Sequence, residues 1–418
     1  MTDPVAWGVQ PGYWDVAGRW RESPGEVVQG ILRSMNASED PPPGPIMVTV
    51  RLDHPLPPLG RGTLRLEDGA EVRVEGHLPA GVPPGYHTMV LDDFECFDLV
   101  VSPGVAPVPS ERTWGFSSQL YASRSLRSWG IGDLADLAEL GRWSAGLGAR
   151  ALLVNPLHAP DLGARIQPSP YYPSSRCFAN PLYIAVGAVP GSAEATGFAE
   201  ADAAGKRLGE ARLIDRERVW EIKSAVLEEV FRRGVDDVGL DAYRSTRGEL
   251  LELFATFCAI RESQGCAWPH WPPELRHPRS EAVREFRDSP SGRTRVRYHS
   301  WLQYLLDQQM TSAGSEIGIV SDLAVGVDPG GADAWMWQDI LSLGMSVGAP
   351  PDEFATQGQD WGLPPFDPWR LRRAGYAPLI EALRSSLRHS AGLRVDHVMG
   401  LFRPVSYTHL TLPTILRV

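Results

Sequence analysis

The chain has 418 residues, 43% hydrophobic and 22% charged, which excludes a disulfide-stapled miniprotein or a mostly disordered polypeptide and leaves room for two to four domains. Forty Lys plus Arg against fifty-one Asp plus Glu give a net charge of −11, a balance that disfavours unspecific binding to phosphate backbones and acidic membranes, so neither nucleic acid nor a membrane is an expected partner. Four cysteines without a C-x-x-C pair, no signal-peptide pattern at the start and no run of about 18 apolar residues predict a cytoplasmic chain with reduced thiols.

Val27, Ile31 and Met35 fall at helical spacing and predict a first helix over 26–35. Alternating runs follow at 46–52, 62–66, 72–74, 88–91 and 97–101, parted by turns rich in Pro, Gly and Asp. This pattern predicts a small antiparallel β-sandwich. Residues 103–109, PGVAPVP, read as a stiff linker, so the first domain is expected to span 1–110. From Thr113 strands alternate with long helices, as in a parallel sheet or an α/β barrel. Strands are predicted at 116–120, 151–154, 317–323 and 393–396, and helices at 134–147, after Asp215, at 251–261 and at 298–309. The excursion over 156–213 is too long for an ordinary barrel loop and is expected to be functional.

Arg394 and Asp396 lie two apart on a predicted strand and so share one face, where the guanidinium favours the charged carboxylate that a nucleophile requires. From those residues alone a purely structural ion pair is the commoner explanation. Asp322 also ends an apolar strand, GIVSDL, where acidic residues of α/β barrels serve the active site; alone it could cap a following helix. Fourteen Trp exceed the Phe and Tyr counts, and Trp129, Trp268, Trp271, Trp361 and Trp369 stand in loop-like settings. Most are expected in the core, with one or two stacking on the apolar face of a sugar. Residues 348–365 hold two Pro pairs and three Gly around Asp352, Gln359, Asp360 and Trp361, which suits a stiff loop that grips a polymer or a surface Ω-loop. The segment Gly130-Ile131-Gly132-Asp133 lacks the third Gly of a dinucleotide fingerprint and the ending of a P-loop, and both are rejected.

Ser128-Trp129-Gly130-Ile131-Gly132-Asp133-Leu134, Ser169-Pro170-Tyr171-Tyr172-Pro173-Ser174-Ser175-Arg176, Asn180-Pro181-Leu182-Tyr183, Trp301-Leu302-Gln303, Ser321-Asp322-Leu323, the 348–365 loop and Arg394-Val395-Asp396-His397 occur in this order. Together they resemble the amylomaltase family, the 4-α-glucanotransferases within the α-amylase-like glycoside hydrolases. The resemblance implies an α/β chain: a partial (β/α)8 TIM barrel over 111–403, the N-terminal half with insertions, preceded by the small β-sandwich domain.

It further implies a retaining transfer of part of an α-1,4-glucan to the 4-hydroxyl of glucose or a maltooligosaccharide, with Asp396 as nucleophile and Arg394 as its electrostatic partner. Asp322 and His397 would be subsite residues, Tyr171 and Trp361 would stack on glucose rings, and Asp352 and Gln359 would hydrogen-bond the chain. Neither metal nor organic cofactor is expected. In the family the acid/base glutamate lies on the fifth strand and a further aspartate near the seventh, both beyond the nucleophile. The chain is therefore expected to be incomplete and inactive as written, with 404–418, PVSYTHLTLPTILRV, a non-native tail. The alternatives are an α-glucan hydrolase and a noncatalytic glucan-binding protein.

Overall fold

The computed structural model describes residues 2–15, 17–38, 40–41, 47–105, 108, 111–163, 165–402, 404–407 and 414–415. The first part of the chain forms β1 (Gly12–Trp14), β2 (Trp20–Glu22), α1 (Gly25–Ser34), β3 (Met47–Arg51), β4 (Gly60–Arg65), β5 (Glu71–Gly76), β6 (Gly85–Leu91) and β7 (Cys96–Ser102). Then come β8 (Gly115–Ser118), α2 (Leu134–Gly146), β9 (Ala151–Val154), β10 (His158–Ala159), β11 (Ser175–Ala179), α3 (Phe198–Gly209), α4 (Arg216–Arg233), α5 (Asp237–Gln264), α6 (Glu281–Asp288) and α7 (Pro290–Ala313). The last elements are β12 (Gly318–Leu323), α8 (Ala332–Met336), β13 (Ser346–Ala349), β14 (Gln359–Leu363), α9 (Pro368–Arg373), α10 (Ala377–Leu387), β15 (Gly392–Val395), β16 (Val405–Tyr407) and β17 (Thr414–Ile415).

Two compact units divide these elements. The smaller comprises Pro41–Arg112 with Pro368–Ala377. Its strands form one sheet in the order β3-β7-β6-β4-β5, antiparallel except for the β3–β7 pair. Alternate positions send Val50, Leu64, Val74, Met89, Leu99 and Val101 into its core, the period-2 pattern seen in the sequence. Every predicted strand is present, yet a sandwich needs a second sheet facing the first, and none stands among the described residues of this unit. The expected start of the domain also moves. Met1–Asp40 groups with the larger unit, where the apolar stripe of α1 is buried and Ser34 Oγ donates to Met345 Sδ at 2.6 Å.

The larger unit is α/β. Its central sheet has the order β15-β12-β9-β8 with every pair parallel, so each strand lies beside the next in the chain and long helices fill the connections. These are the four strands expected from the sequence. Asp215 caps α4 by accepting from Arg218 N at 2.9 Å, and Val219, Ile222, Val226 and Val230 bury one stripe of it. Lys223, fully buried in the same helix, donates through Nζ to Leu182 O at 2.7 Å and Ile184 O at 2.8 Å. It ties the helix to the excursion that follows β11. α5 kinks at Gly248, whose φ of 57° and ψ of −145° lie outside helical space and favour a residue without Cβ.

Three of the five singled-out tryptophans, Trp129, Trp268 and Trp271, are 4%, 7% and 0% exposed. Each donates its indole N–H inside the protein, to Asp202 Oδ1, Pro329 O and Cys266 O at 3.0, 3.0 and 2.7 Å. Burying such a ring contributes roughly 4–6 kcal/mol, an upper figure that suffices to make them scaffold.

The 404–418 segment begins inside the fold. β16 pairs antiparallel with β13, and Val405, Ser406 and Tyr407 are buried at 6%, 0% and 6% exposure. Alternating Val-Ser-Tyr is strand chemistry, and the expected domain boundary at 403 falls at the edge of this pairing. β17, which pairs with β16, extends the same sheet.

Candidate active site

The parallel register sets Asp322 of β12 directly opposite Arg394 of β15, so both side chains leave the same face at the C-terminal ends of neighbouring strands. Arg394 Nη1 donates to Asp322 Oδ2 at 2.5 Å and Nη2 to Asp396 Oδ1 at 3.0 Å. One guanidinium thus bridges two carboxylates, one deeply buried and one about a third exposed: the Asp322 side chain is 4% accessible and that of Asp396 is 32%. The bond to Asp322, and then its charge, holds Arg394 above its ordinary pKa.

Tyr171 completes the group. Its hydroxyl donates to Asp322 Oδ2 at 2.7 Å, and burial, followed by that bond, pushes its pKa up to about 12, so it remains a donor at any working pH. Asp322 Oδ1 is buried without a hydrogen-bond partner. The next residue after Asp396, His397, adopts the left-handed region with φ 49° and ψ 60°, uncommon for a side chain of its size. Its ring meets Trp361 edge-on at 5.0 Å between centroids, and burial lowers its pKa against the opposing pull of Asp396.

Residues 348–365 form a hairpin where an open loop was expected. β13 and β14 pair antiparallel, with Gly348 opposite Asp360 and Ala349 opposite Gln359. Trp361 Nε1 donates to Gln359 Oε1 at 3.1 Å, which joins Gln359, Trp361 and His397 in one chain of contacts ending beside Asp396. Asp352 stands apart at the hairpin tip, where Oδ1 accepts from Phe354 N at 2.8 Å and Ala355 N at 2.6 Å; it caps its own turn and touches none of the other site residues. A Cβ on Gly348 would strike Gln359 O and the Tyr407 ring, so glycine lets β16 close over the hairpin. We expect Gly348→Val to cost about 1–3 kcal/mol by overpacking. Thermal unfolding followed by circular dichroism checks this, and an unchanged melting curve contradicts the packing argument.

Two residues behind the carboxylates were not singled out from the sequence. Arg176 is 7% exposed and donates through Nη1 to Ala324 O at 3.2 Å and Val325 O at 3.1 Å. The same residue is held through its other peptide, as Ala324 N donates to His158 Nε2 at 3.4 Å; burial, then Arg176, lowers His158 to about 3, so the ring stays neutral and can accept. Both grip the turn that follows Asp322. The sequence signal was the Ser174-Ser175-Arg176 run: Ser174 Oγ accepts from Ala332 N at 2.8 Å, and Arg176 N donates to Asp333 Oδ2 at 2.8 Å. The Gly130–Asp133 turn is scaffolding, because Asp133 and Asp136 form a reciprocal capping box at the start of α2.

The 4-alpha-glucanotransferase family, Glyco_hydro_77, matches residues 118–407. The chain belongs to this family. A 4-alpha-glucanotransferase of Mycobacterium tuberculosis (strain H37Rv) is 42% identical over 354 residues, covering 78% of this chain and 49% of that protein. One from Haemophilus influenzae is 32% identical over 360 residues, covering 77% and 51%. The chain spans about half the length of the curated relatives it matches. Among solved structures, an amylomaltase from Corynebacterium glutamicum is similar with a TM-score of 0.81 at 28% identity, over 99% of this chain and 67% of that one. The match ends at Tyr407, so the first residues of the segment read as a tail lie within the family pattern.

Proposed function

We propose that this chain carries the donor part of a 4-alpha-glucanotransferase site, which binds an α-1,4-glucan and captures its glucosyl end on Asp396 before transfer to the 4-hydroxyl of glucose or a maltooligosaccharide. The observation that carries the reading is the Arg394 bridge between Asp322 and Asp396 at the C-terminal ends of two parallel strands. Asp396 keeps one oxygen off the bridge and is accessible, as attack on an anomeric carbon requires. Asp322, held by Tyr171 and Arg394, suits a sugar hydroxyl. Tyr171 and Trp361 offer rings to glucose faces, and Gln359, His397 and Asp352 offer polar groups along the hairpin.

The four-stranded parallel sheet reads as the first half of a (β/α)8 barrel, and the five-stranded sheet as an accessory domain. A retaining transfer also needs a carboxylic acid about 5–5.5 Å from the nucleophile. Asp322 is committed to Arg394 and does not fill that role, so the chain is proposed to capture glucan but not to complete turnover alone.

A maltosyl fluoride tests this, because fluoride departs without an acid's help. The expected result is a covalent maltosyl ester on the peptide containing Asp396, absent from Asp396→Asn. A label on another residue, or none, overturns the reading. With a chain of the relatives' full length, maltotriose should yield glucose plus a ladder of longer sugars, whereas a hydrolase yields only shorter ones.

A further inference from the structure

A cavity of about 550 Å3 including its mouth lies between β11, α5, α7 and the end of α10, and it shares Asp322, Arg176 and His158 with the candidate active site. Three guanidinium groups line it, of which Arg388 is spent on Asp307. Arg176 is 93% buried by its 7% exposure, spends Nη1 on two carbonyls, and has an Nε without a partner. Arg247 donates through Nη2 to Cys177 O at 3.2 Å and Ser385 Oγ at 3.1 Å, and its buried Nε is also without a partner. Arg247 stands 5.4 Å over the Phe178 ring, and Phe178 lies two residues from Arg176 on β11, so both groups gather on one face of that strand.

The charge balance of the cavity is uneven. Asp307 is taken by Arg388 at 2.6 Å and lies 2.9 Å from His389 Nε2, and Asp322 is taken by Arg394. Asp333, near Arg176, accepts its backbone N–H and not its guanidinium. Among the described residues neither Arg176 nor Arg247 makes an ion pair. Arg176, buried, and Arg247, half-buried, each keep an open Nε–H, and the charge of Asp333 acts on Arg176 without a hydrogen bond to its guanidinium; an anion joining the two would satisfy those donors, and a planar guanidinium is suited to oxyanions. Asp322 Oδ1, buried and unpartnered on the same wall, can accept one hydrogen bond but repels a fully deprotonated anion.

We propose that this cavity is a binding site for inorganic phosphate, with Arg176 and Arg247 donating to its oxygens, Ser385 at its side, and the remaining P–OH donating to Asp322 Oδ1. The requirement for a P–OH distinguishes it from a site for sulfate or for a phosphate ester dianion. It does not depend on the glucan reading, since binding is read without turnover.

Titration calorimetry with inorganic phosphate at fixed ionic strength is expected to give one site, at least tenfold tighter than for sulfate. Arg247→Gln should weaken it at least tenfold, while Arg65→Gln, on β4, leaves it unchanged. A hexose monophosphate titrated in parallel separates the free ion from an ester, and tight binding of the ester alone overturns the assignment. Equal binding of phosphate and sulfate, unaltered by Arg247→Gln, likewise overturns it. Should Arg247→Gln fail to fold, the amide resonances of Ser385 and Ser386 in the unaltered chain must shift on phosphate addition; shifts only elsewhere reject the site.

Discussion

Arg394→Met is expected to destabilise the chain by about 2–4 kcal/mol, because it leaves a buried carboxylate with one neutral donor. Breaking a buried pair from one side costs about 3–5 kcal/mol. The lower figure here allows for solvent around Arg394, whose side chain is 45% accessible. Asp322 would keep only the Tyr171 hydroxyl. Adding Asp322→Asn removes the uncompensated charge, so the double variant should recover a good part of the loss, with a coupling of about 1–3 kcal/mol in a urea-unfolding cycle. If the two losses simply add, Arg394 does not hold Asp322 in solution. The same single variant should abolish maltosyl capture on Asp396, since it loses the cation that faces the nucleophile.

Lys223→Met is expected to cost about 2–4 kcal/mol near pH 10, where it strands the carbonyls of Leu182 and Ile184 in the core. The cost should shrink toward neutral pH. Burial lowers the Lys223 pKa from 10.5 to about 8, with Asp133 and Asp136 opposing. Between those two values the unfolded chain keeps a proton that the folded chain has released. By linkage, stability of the unaltered chain from this group therefore rises with pH from about 8 to 10.5; below 8 both states are protonated and the penalty for the buried charge is fully present. Unfolding midpoints from pH 7 to 10.5 should show this rise in the unaltered chain and its loss in Lys223→Met. Parallel curves would mean that Lys223 is not buried as a titrating group.

What was legible in the sequence was whatever short-range periodicity or strand geometry dictates. Ala151–Val154 appears with the bounds read from its apolar run, and the other three central strands lie within a few residues of expectation. The period of two brought Arg394 and Asp396 together in the sequence, and they do meet although Asp396 lies one residue past β15; the structure adds the partner that periodicity cannot reach, Asp322 on the neighbouring strand. The misreadings arose where long-range pairing decides. Whether five short strands make one sheet or two is settled by partners far along the chain, as is the attachment of α1 to the larger unit. The 348–365 segment looked like an open loop because its Pro and Gly content masks the pairing of β13 with β14 and β16. That Asp352 also turns back to cap its own turn is a local fold-back that sequence does not reveal. Arg176, named only as the end of a motif, and His158 were given no role because their partners, the Ala324 and Val325 backbone groups, lie some 150 residues away.

Of the 40 basic residues only Lys206 and Lys223 are lysines. Lys206 sits on α3, its side chain 46% accessible beside Asp202, whereas Lys223 is sealed. An amine-selective acylating reagent should therefore modify the first within the folded molecule and reach the second only when the interior opens. The time course of Lys223 acylation, read by mass spectrometry, then becomes a clock for core opening that needs no introduced label.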